Sequence, residues 1–269
     1  MSTEAPMSRF DKKIVIITAA ASGIGLAAAQ RFASEGAILS LSDINFDALA
    51  SHAAALKLPE SRLRIARVDA SMASELEALV ADTVKSFGGL DVLVNNASAG
   101  AFGYVTEISP ETWDKTIATT LSSVFYASRA ALPHLIARKG NIVNTASISG
   151  LVADVGFAAY NAAKGGVCNL TRAMAIDHAS DGIRVNAICP GVTDTGSTAW
   201  MQKHPQIMQG FADRLPMGRM GTPAEMAAAI AFLASDDASY VTGCNFVVDG
   251  GLTAATGQPA FRKLTKTTA

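Results

Sequence analysis

Seven short apolar runs recur along the chain, and the stretches between most of them carry helical spacing. Lys12 to Ala19 reads K-K-I-V-I-I-T-A, the pattern of a strand buried on both faces. Similar runs at Ala37 to Ser42, Leu63 to Val68, Asp91 to Asn95, Asn141 to Ala146, Ile183 to Cys189 and Asn245 to Val248 predict six more strands. Helical spacing predicts helices over Leu26 to Glu35, Phe46 to Leu56, Ser71 to Phe87 and Ala158 to Ser180. Ser109 as N-cap with Pro110 at the first helical position opens another, running with a bend to about Arg138. Thr222-Pro223-Ala224-Glu225 is a capping box for a last helix to about Ala234.

Doubly buried strands alternating with helices predict an α/β fold: one doubly wound, Rossmann-type, seven-stranded parallel sheet with helices on both faces. No linker or internal repeat interrupts it, so a single domain is expected over 12–252, with an extension at 1–11 and a tail at 253–269. Three segments break the alternation: Ser98 to Ser109, Ile148 to Phe157 and Thr193 to Met220. They follow the carboxyl ends of the fourth, fifth and sixth strands, where open parallel sheets bind ligands.

Composition narrows the partners. The chain has 269 residues, 49% hydrophobic and 17% charged, with a formal net charge of -1. That balance argues against nucleic acid or a membrane surface as a partner. Met1 to Phe10 carries Glu4, Pro6 and Arg9 and no apolar core, so it reads as neither signal peptide nor anchor. Cys168, Cys189 and Cys244 form no CxxC arrangement, which suggests reduced thiols and a cytoplasmic protein. His52, His134, His178 and His204 show no ligand spacing, and no metal site is expected.

Two stretches carry chemistry. After the first strand comes Ala20-Ala21-Ser22-Gly23-Ile24-Gly25, then a helix; the second strand ends in Asp43. Glycine lets backbone approach a pyrophosphate, and the free N–H groups of the helix start favour anions. A carboxylate about 20 residues on suits a ribose diol. The second stretch is Tyr160-Asn161-Ala162-Ala163-Lys164, which places a phenol and an ammonium on one helix face. A free phenol has a pKa of about 10, and a fixed ammonium beside it favours the phenolate. Taken alone, the pair reads as a solvated face.

The whole pattern resembles the short-chain dehydrogenase/reductase family from Lys12 to about Leu252. The matching elements are Thr18 through Gly25, Asp69, Asn95-Asn96-Ala97, Ser147 thirteen positions before Tyr160, Lys164, Pro190-Gly191 and Asp249-Gly250-Gly251. The resemblance implies that Tyr160 is the general acid/base between an alcohol and its ketone. It implies that Lys164 lowers the tyrosine pKa and holds the nicotinamide ribose, and that Ser147 steadies the substrate oxygen. Ser22, Gly23, Ile24 and Gly25 would then hold the pyrophosphate, Asp43 and Ile44 the adenosine ribose, and Asp69 and Ala70 the adenine. Asn95 and Ala97 would line the cofactor, with Pro190, Gly191, Val192, Thr193 and Thr195 covering the nicotinamide. Asp43, with no Arg or Lys at 44–45, favours NAD over NADP. A homotetramer pairing the long helices is the family's usual assembly.

Three positions depart from the family pattern. Ala19 replaces the first glycine of the phosphate turn, Ser98 replaces a glycine after Asn-Asn-Ala, and Thr120 replaces a catalytic asparagine that supports a proton-relay water. The relay is expected to survive through the Thr120 backbone carbonyl. Ser98, Phe102, Ser149, Phe157, Trp200 and Met201 are the candidate substrate pocket, which suits a neutral, fairly hydrophobic secondary alcohol or its ketone. Lys203, His204 and Arg214 are the nearby candidates to clamp an anion. A non-catalytic dinucleotide-binding scaffold or sensor is the alternative, as is an isomerase or lyase on the same fold.

Overall fold

The computed structural model describes residues 8–258. Its seven strands are β1 (Ile14–Thr18), β2 (Ile38–Asp43), β3 (Leu63–Arg67), β4 (Val92–Asn95), β5 (Asn141–Thr145), β6 (Arg184–Pro190) and β7 (Asn245–Val248). They form one sheet in the order β3-β2-β1-β4-β5-β6-β7. Every neighbouring pair is parallel. Helices α1 (Gly23–Ser34), α2 (Phe46–Ala55) and α8 (Pro223–Ala234) close one face, and Phe32, Leu49 and Ile230 bury against it. Helices α3 (Ala73–Phe87), α5 (Ser123–Arg138) and α6 (Ala158–Asp177) close the other, through Leu76, Leu135 and Val167. The doubly covered, near-continuous apolar strands are what a parallel sheet requires. Between β1 and β4 the winding reverses, which opens the crevice at their carboxyl ends.

Local signals start and stop the helices. The hydroxyl of Ser109 accepts from the Thr112 N–H at the head of α4 (Pro110–Ile117). Thr222 and Glu225 make both reciprocal bonds of the capping box on α8. The predicted bend has a defined place: a π-helical turn at Ala118–Ser122 separates α4 from α5. Such turns are frequent at functional sites.

Two boundaries differ from the sequence expectation. Phe10 is only 1% exposed and packs edge-on against Phe32 at 4.6 Å, and Arg9 pairs with Glu35 at 2.7 Å. Residues 8–11 are therefore part of the domain rather than an extension; a single phenylalanine between Arg9 and Asp11 carries no periodic signal. The segment Thr193 to Met220, expected as loop, holds a 3-10 turn (Ala199–Lys203) and helix α7 (Pro205–Arg214). None of α7's residues is fully buried; Ile207, Met208 and Phe211 form a short, half-covered apolar stripe on one face. The end of the tail, with Phe261 and Leu264 as candidates to fold over a neighbouring subunit, lies outside the described residues. No helix among the described residues is long and apolar enough to cross a membrane. The three cysteines are free, although Cys168 and Cys189, distant in sequence, bring their sulfurs to 4.0 Å.

Candidate active site

The phosphate turn is tighter than the sequence suggests: Gly23, Ile24 and Gly25 are themselves the first turn of α1. Ser22 stands at the N-cap with no side-chain bond to the helix, which leaves the first N–H groups open to an anion. A Cβ on Gly25 would lie 2.1 Å from the Ala19 carbonyl oxygen and 2.6 Å from Asn96 Nδ2, so this position admits only glycine. Asn96 itself donates to the Thr18 and Ala19 carbonyls, and its N–H donates to Thr18 Oγ1. It ties the end of β4 to the turn after β1, a function sequence reasoning did not assign it. Ala19 sits at φ 52°, in the left-handed region that favours glycine. The departure thus strains the backbone rather than crowding the strand end. Ala19→Gly should raise stability by about 1 kcal/mol, read as a shift in the urea midpoint; an unchanged or lower midpoint would contradict the strain.

The carboxylate of Asp43 is fixed at the end of β2 by two N–H donors, Ala21 and Asn45, each at 2.9 Å. Ile44 beside it is exposed. Asp69 turns instead onto Ser71, whose hydroxyl and N–H hold its carboxyl below the usual range. Asn95 does not line the crevice through its side chain. Its amide is buried, donating to Asn144 Oδ1 at 2.9 Å and Ser128 Oγ at 3.2 Å, because β4 points that position into the helix layer. Ala97, whose N–H bonds Thr18 Oγ1, stays beside the turn. Opposite, Gly191 to Thr195 runs from β6 over α1, with the Thr195 methyl 3.4 Å from the place of a Cβ on Gly23. Thr193 bonds back to Gly191, and Val192 accepts from Gly221. A cavity of about 370 Å³ opens there, lined by Gly23, Leu26, Ala27, Asp194, Thr195 and Pro223. Open N–H groups, an obligatory glycine and a fixed carboxylate along one crevice fit a dinucleotide.

Farther along the same strand ends stand Ser147, Tyr160 and Lys164. Ser147 leaves β5 as the N-cap of a 3-10 turn (Ile148–Gly150) and accepts from the Ser149 N–H at 3.1 Å. Its hydroxyl donates to Ser149 Oγ at 3.1 Å, and Ser149 donates to Asp154. Tyr160 and Lys164 share a face of α6, with Lys164 Nζ 5.6 Å from the tyrosine ring centroid. Burial raises the Tyr160 pKa above the ordinary phenol value. The hydroxyls of Ser147 and Ser98 oppose the rise, and the Asp154 charge adds to it. The expected lowering by Lys164 is absent here, because the ammonium lies over the ring and donates to the Thr145 carbonyl at 2.6 Å. Lys164 is 1% exposed, and burial pulls its pKa down to about 8. Thr120 uses its side chain structurally. Its hydroxyl donates to the Ala99 carbonyl at 2.9 Å and accepts from the Ala99 N–H at 3.0 Å, so the side chain holds the loop after β4.

The substrate-side candidates largely converge. Phe102 lies tilted against Phe157 at 4.5 Å and edge-on to Trp200 at 5.4 Å, and Phe157 meets Tyr160 at 6.2 Å. A bridge between Gly103 and Phe157 brings the two loops together. Phe102 remains 63% exposed, so this aromatic wall faces the opening above the phenol. Met201 is half-buried on the same turn as Trp200, while Lys203 and Arg214 are exposed and His204 lies edge-on to Trp200 at 5.7 Å.

Known proteins agree with this geometry. The family model described as Enoyl-(Acyl carrier protein) reductase matches residues 18–253. The chain belongs to the short-chain dehydrogenase/reductase family. It is 46% identical to meso-2,3-butanediol dehydrogenase of Serratia marcescens, over 93% of this chain and 98% of that one. It is 36% identical to cyclohexanol dehydrogenase of an Acinetobacter species, over 91% and 97%. The crystal structure of gox2181 superposes with a TM-score of 0.89 at 30% identity, covering 92% of this chain and 98% of that one. The chain is thus an oxidoreductase, an alcohol dehydrogenase of the short-chain kind, and its cofactor is a nicotinamide dinucleotide.

Proposed function

We propose that this short-chain dehydrogenase uses NAD to interconvert a neutral, fairly hydrophobic secondary alcohol and its ketone. The observation that carries the reading is the Tyr160 phenol, flanked by the Ser147 hydroxyl, at the foot of the wall formed by Phe102, Phe157 and Trp200. Relatives whose names specify butanediol and cyclohexanol support an uncharged alcohol. A bound nicotinamide supplies the hydride acceptor for oxidation and the donor for reduction. Tyr160 takes the hydroxyl proton in oxidation and returns it to the carbonyl oxygen in reduction. Ser147 donates to the substrate oxygen as charge develops on it, after its hydrogen turns from Ser149. Lys164, held on α6 below the phenol, brings positive charge to the site and lies on the side where a ribose would rest. The test is NADH formation with a panel of apolar alcohols; turnover confined to charged or sugar-like substrates contradicts the reading.

The choice of NAD rests on Asp43. Its carboxylate accepts hydrogen bonds from a ribose diol and repels a 2′-phosphate, and Ile44 and Asn45 offer no cation in compensation. Asp43→Ala should lower kcat/KM with NAD about 10- to 100-fold, the worth of a charge-assisted hydrogen bond, while NADP use rises. Kinetics with the two cofactors check this, and an unmoved ratio would refute the assignment. The exposed Trp113, Phe125 and Ile176 on α4, α5 and α6 support assembly through the long helices. A tetrameric mass by light scattering is expected, and a monomeric mass would dismiss it.

A further inference from the structure

Cys168 and Cys189 are 21 positions apart, on α6 and β6, yet their sulfurs lie 4.0 Å from each other. Both are free thiols and both are buried. Neither serves the proton or hydride steps. Their place in the fold joins three parts of the site. Cys168 is four residues past Lys164 on α6, so it shares the helix face of Tyr160 and Lys164 one turn farther along. Cys189 is followed by Pro190, which ends β6, and by Gly191 of the segment that runs over α1. The 3-10 turn capped by Ser147 closes over Cys168: a Cβ on Gly150 would lie 3.0 Å from the Cys168 sulfur and 2.5 Å from the Lys164 carbonyl oxygen. Glycine at that position lets the turn rest against the thiol. The two thiols differ in character. The Cys189 S–H donates to the Cys168 sulfur and holds the Cys168 pKa below the ordinary thiol value; burial opposes the shift, and the Arg172 and Lys164 charges add to it. The same bond and burial push the Cys189 thiol up. Cys168 is thus the nucleophile of the pair and Cys189 the resolving thiol.

We propose that Cys168 and Cys189 are an oxidative modification site: a hydroperoxide joins them in a reversible disulfide, and that bond disables the catalytic groups beside it. The loss of activity rests on Tyr160 and Lys164 acting as in the reading above. First the Cys168 thiolate attacks one peroxide oxygen. An S–O bond forms, the O–O bond breaks, and the other oxygen leaves as water or an alcohol with the proton of the Cys168 thiol. Cys189 then attacks the Cys168 sulfur. The S–S bond forms, the S–O bond breaks, and the hydroxyl leaves as water with the Cys189 proton. The two thiols lose two electrons and two protons in all, and the peroxide takes up both. Disulfide sulfurs are about 2 Å apart, so bonding draws α6 and β6 together at this point by up to roughly 2 Å. The contraction falls one turn from Lys164 and two residues from Gly191. A catalytic group displaced by about 1 Å costs about 100-fold in rate. Because both thiols are enclosed, attack depends on local opening of the fold, and activity falls over a time course rather than at once.

The test treats the full chain with hydrogen peroxide, on a Cys244→Ser background that removes the third thiol. Peptide mapping without reductant should show Cys168 joined to Cys189, and the intact chain should lose the mass of two hydrogen atoms. Turnover of a neutral secondary alcohol should fall about 100-fold and return on adding dithiothreitol. Cys168→Ser, with Cys168→Ala as a second variant and a thermal melt to check both, should keep its untreated turnover and resist the same exposure. Cys189→Ala should halt the chemistry at the first step, leaving a Cys168 sulfenic acid that dimedone labels. Absence of the joined peptide, equal inactivation of the Cys168 variants, or a disulfide that leaves turnover unchanged overturns the proposal. An untreated chain that turned over no neutral alcohol would overturn the substrate reading instead. The mapping needs no turnover, so the two failures are distinguishable, and the pair is then judged by dinucleotide affinity, which the disulfide should lower.

Discussion

Tyr160→Phe folds normally, binds its cofactor and oxidises alcohols about 10³-fold more slowly than the natural chain. The ring survives the change, and with it the edge contact to Phe157 at 6.2 Å and the cover over Lys164 Nζ. Only the hydroxyl is lost, and with it the single group placed to exchange a proton with a substrate oxygen beside Ser147. Burial and Asp154 hold the phenol protonated above its ordinary pKa, against the pull of Ser147 and Ser98. The resting site is therefore charged with the proton that ketone reduction needs. Oxidation needs the phenolate, so its rate should climb with pH while reduction holds best near neutrality. Initial rates in both directions across pH, alongside a thermal melt of the variant, check both statements. A variant that retains a tenth of the activity, or an oxidation rate that falls as pH rises, would contradict them.

Lys164→Met separates stability from activity, because a buried amine that serves catalysis burdens the fold. Lys164 is wholly enclosed, its partner is one carbonyl, and its pKa is pulled to about 8 from an unfolded value of 10.5. Between those values the unfolded chain binds more protons than the native one, so native stability rises with pH across that window. Below pH 8 the ionised lysine costs the fold about 3 kcal/mol relative to a neutral amine, an order-of-magnitude figure. Methionine has nearly the same volume and no proton to titrate. Its one local loss is the bond to Thr145, which leaves that carbonyl unpaired at about 1–3 kcal/mol. The variant should therefore be no less stable than the natural chain at pH 7. Its advantage should shrink by about 2 kcal/mol by pH 9.5, as the natural lysine sheds its charge. Turnover should meanwhile drop about 10²-fold, since the positive charge beneath the phenol is gone. Urea unfolding at the two pH values measures the first effect and NADH formation the second. A stability difference independent of pH would mean that Lys164 is not buried as an ion.

Much of this was legible in the sequence because it depends on period and spacing. Doubly buried runs such as Lys12 to Ala19 specify parallel strands, and the Thr222–Glu225 box specifies the start of α8. The Tyr160 and Lys164 pair was legible as a shared helix face, and Asp43 as the acid at the end of β2. What escaped depends on where side chains turn once the chain is folded. Asn95 and Asn96 are adjacent and chemically identical, yet one locks β4 to β5 and the other locks the phosphate turn. Alternation along a strand decides which, and the register is fixed only by the neighbouring strands. The upward shift of Tyr160 escaped for a related reason. The sequence shows a cation four residues away but shows neither the depth of burial nor the carbonyl that diverts the ammonium. Helix α7 was missed although Ile207, Met208 and Phe211 share one face, because the stripe is only one turn long and half-covered. Ala19 was noticed as an extra methyl, but its cost lies in a backbone angle that composition cannot show.

The most direct measurement is NADH formation by the natural chain with neutral secondary alcohols, run beside charged alcohols and sugars and with NADP in place of NAD. The geometry of Asp43, Tyr160 and the Phe102–Phe157–Trp200 wall predicts turnover of the neutral alcohols with NAD, weak activity with NADP, and a rate about 10³-fold lower with Tyr160→Phe. Equal use of NADP, or turnover of the charged substrates alone, would contradict the account.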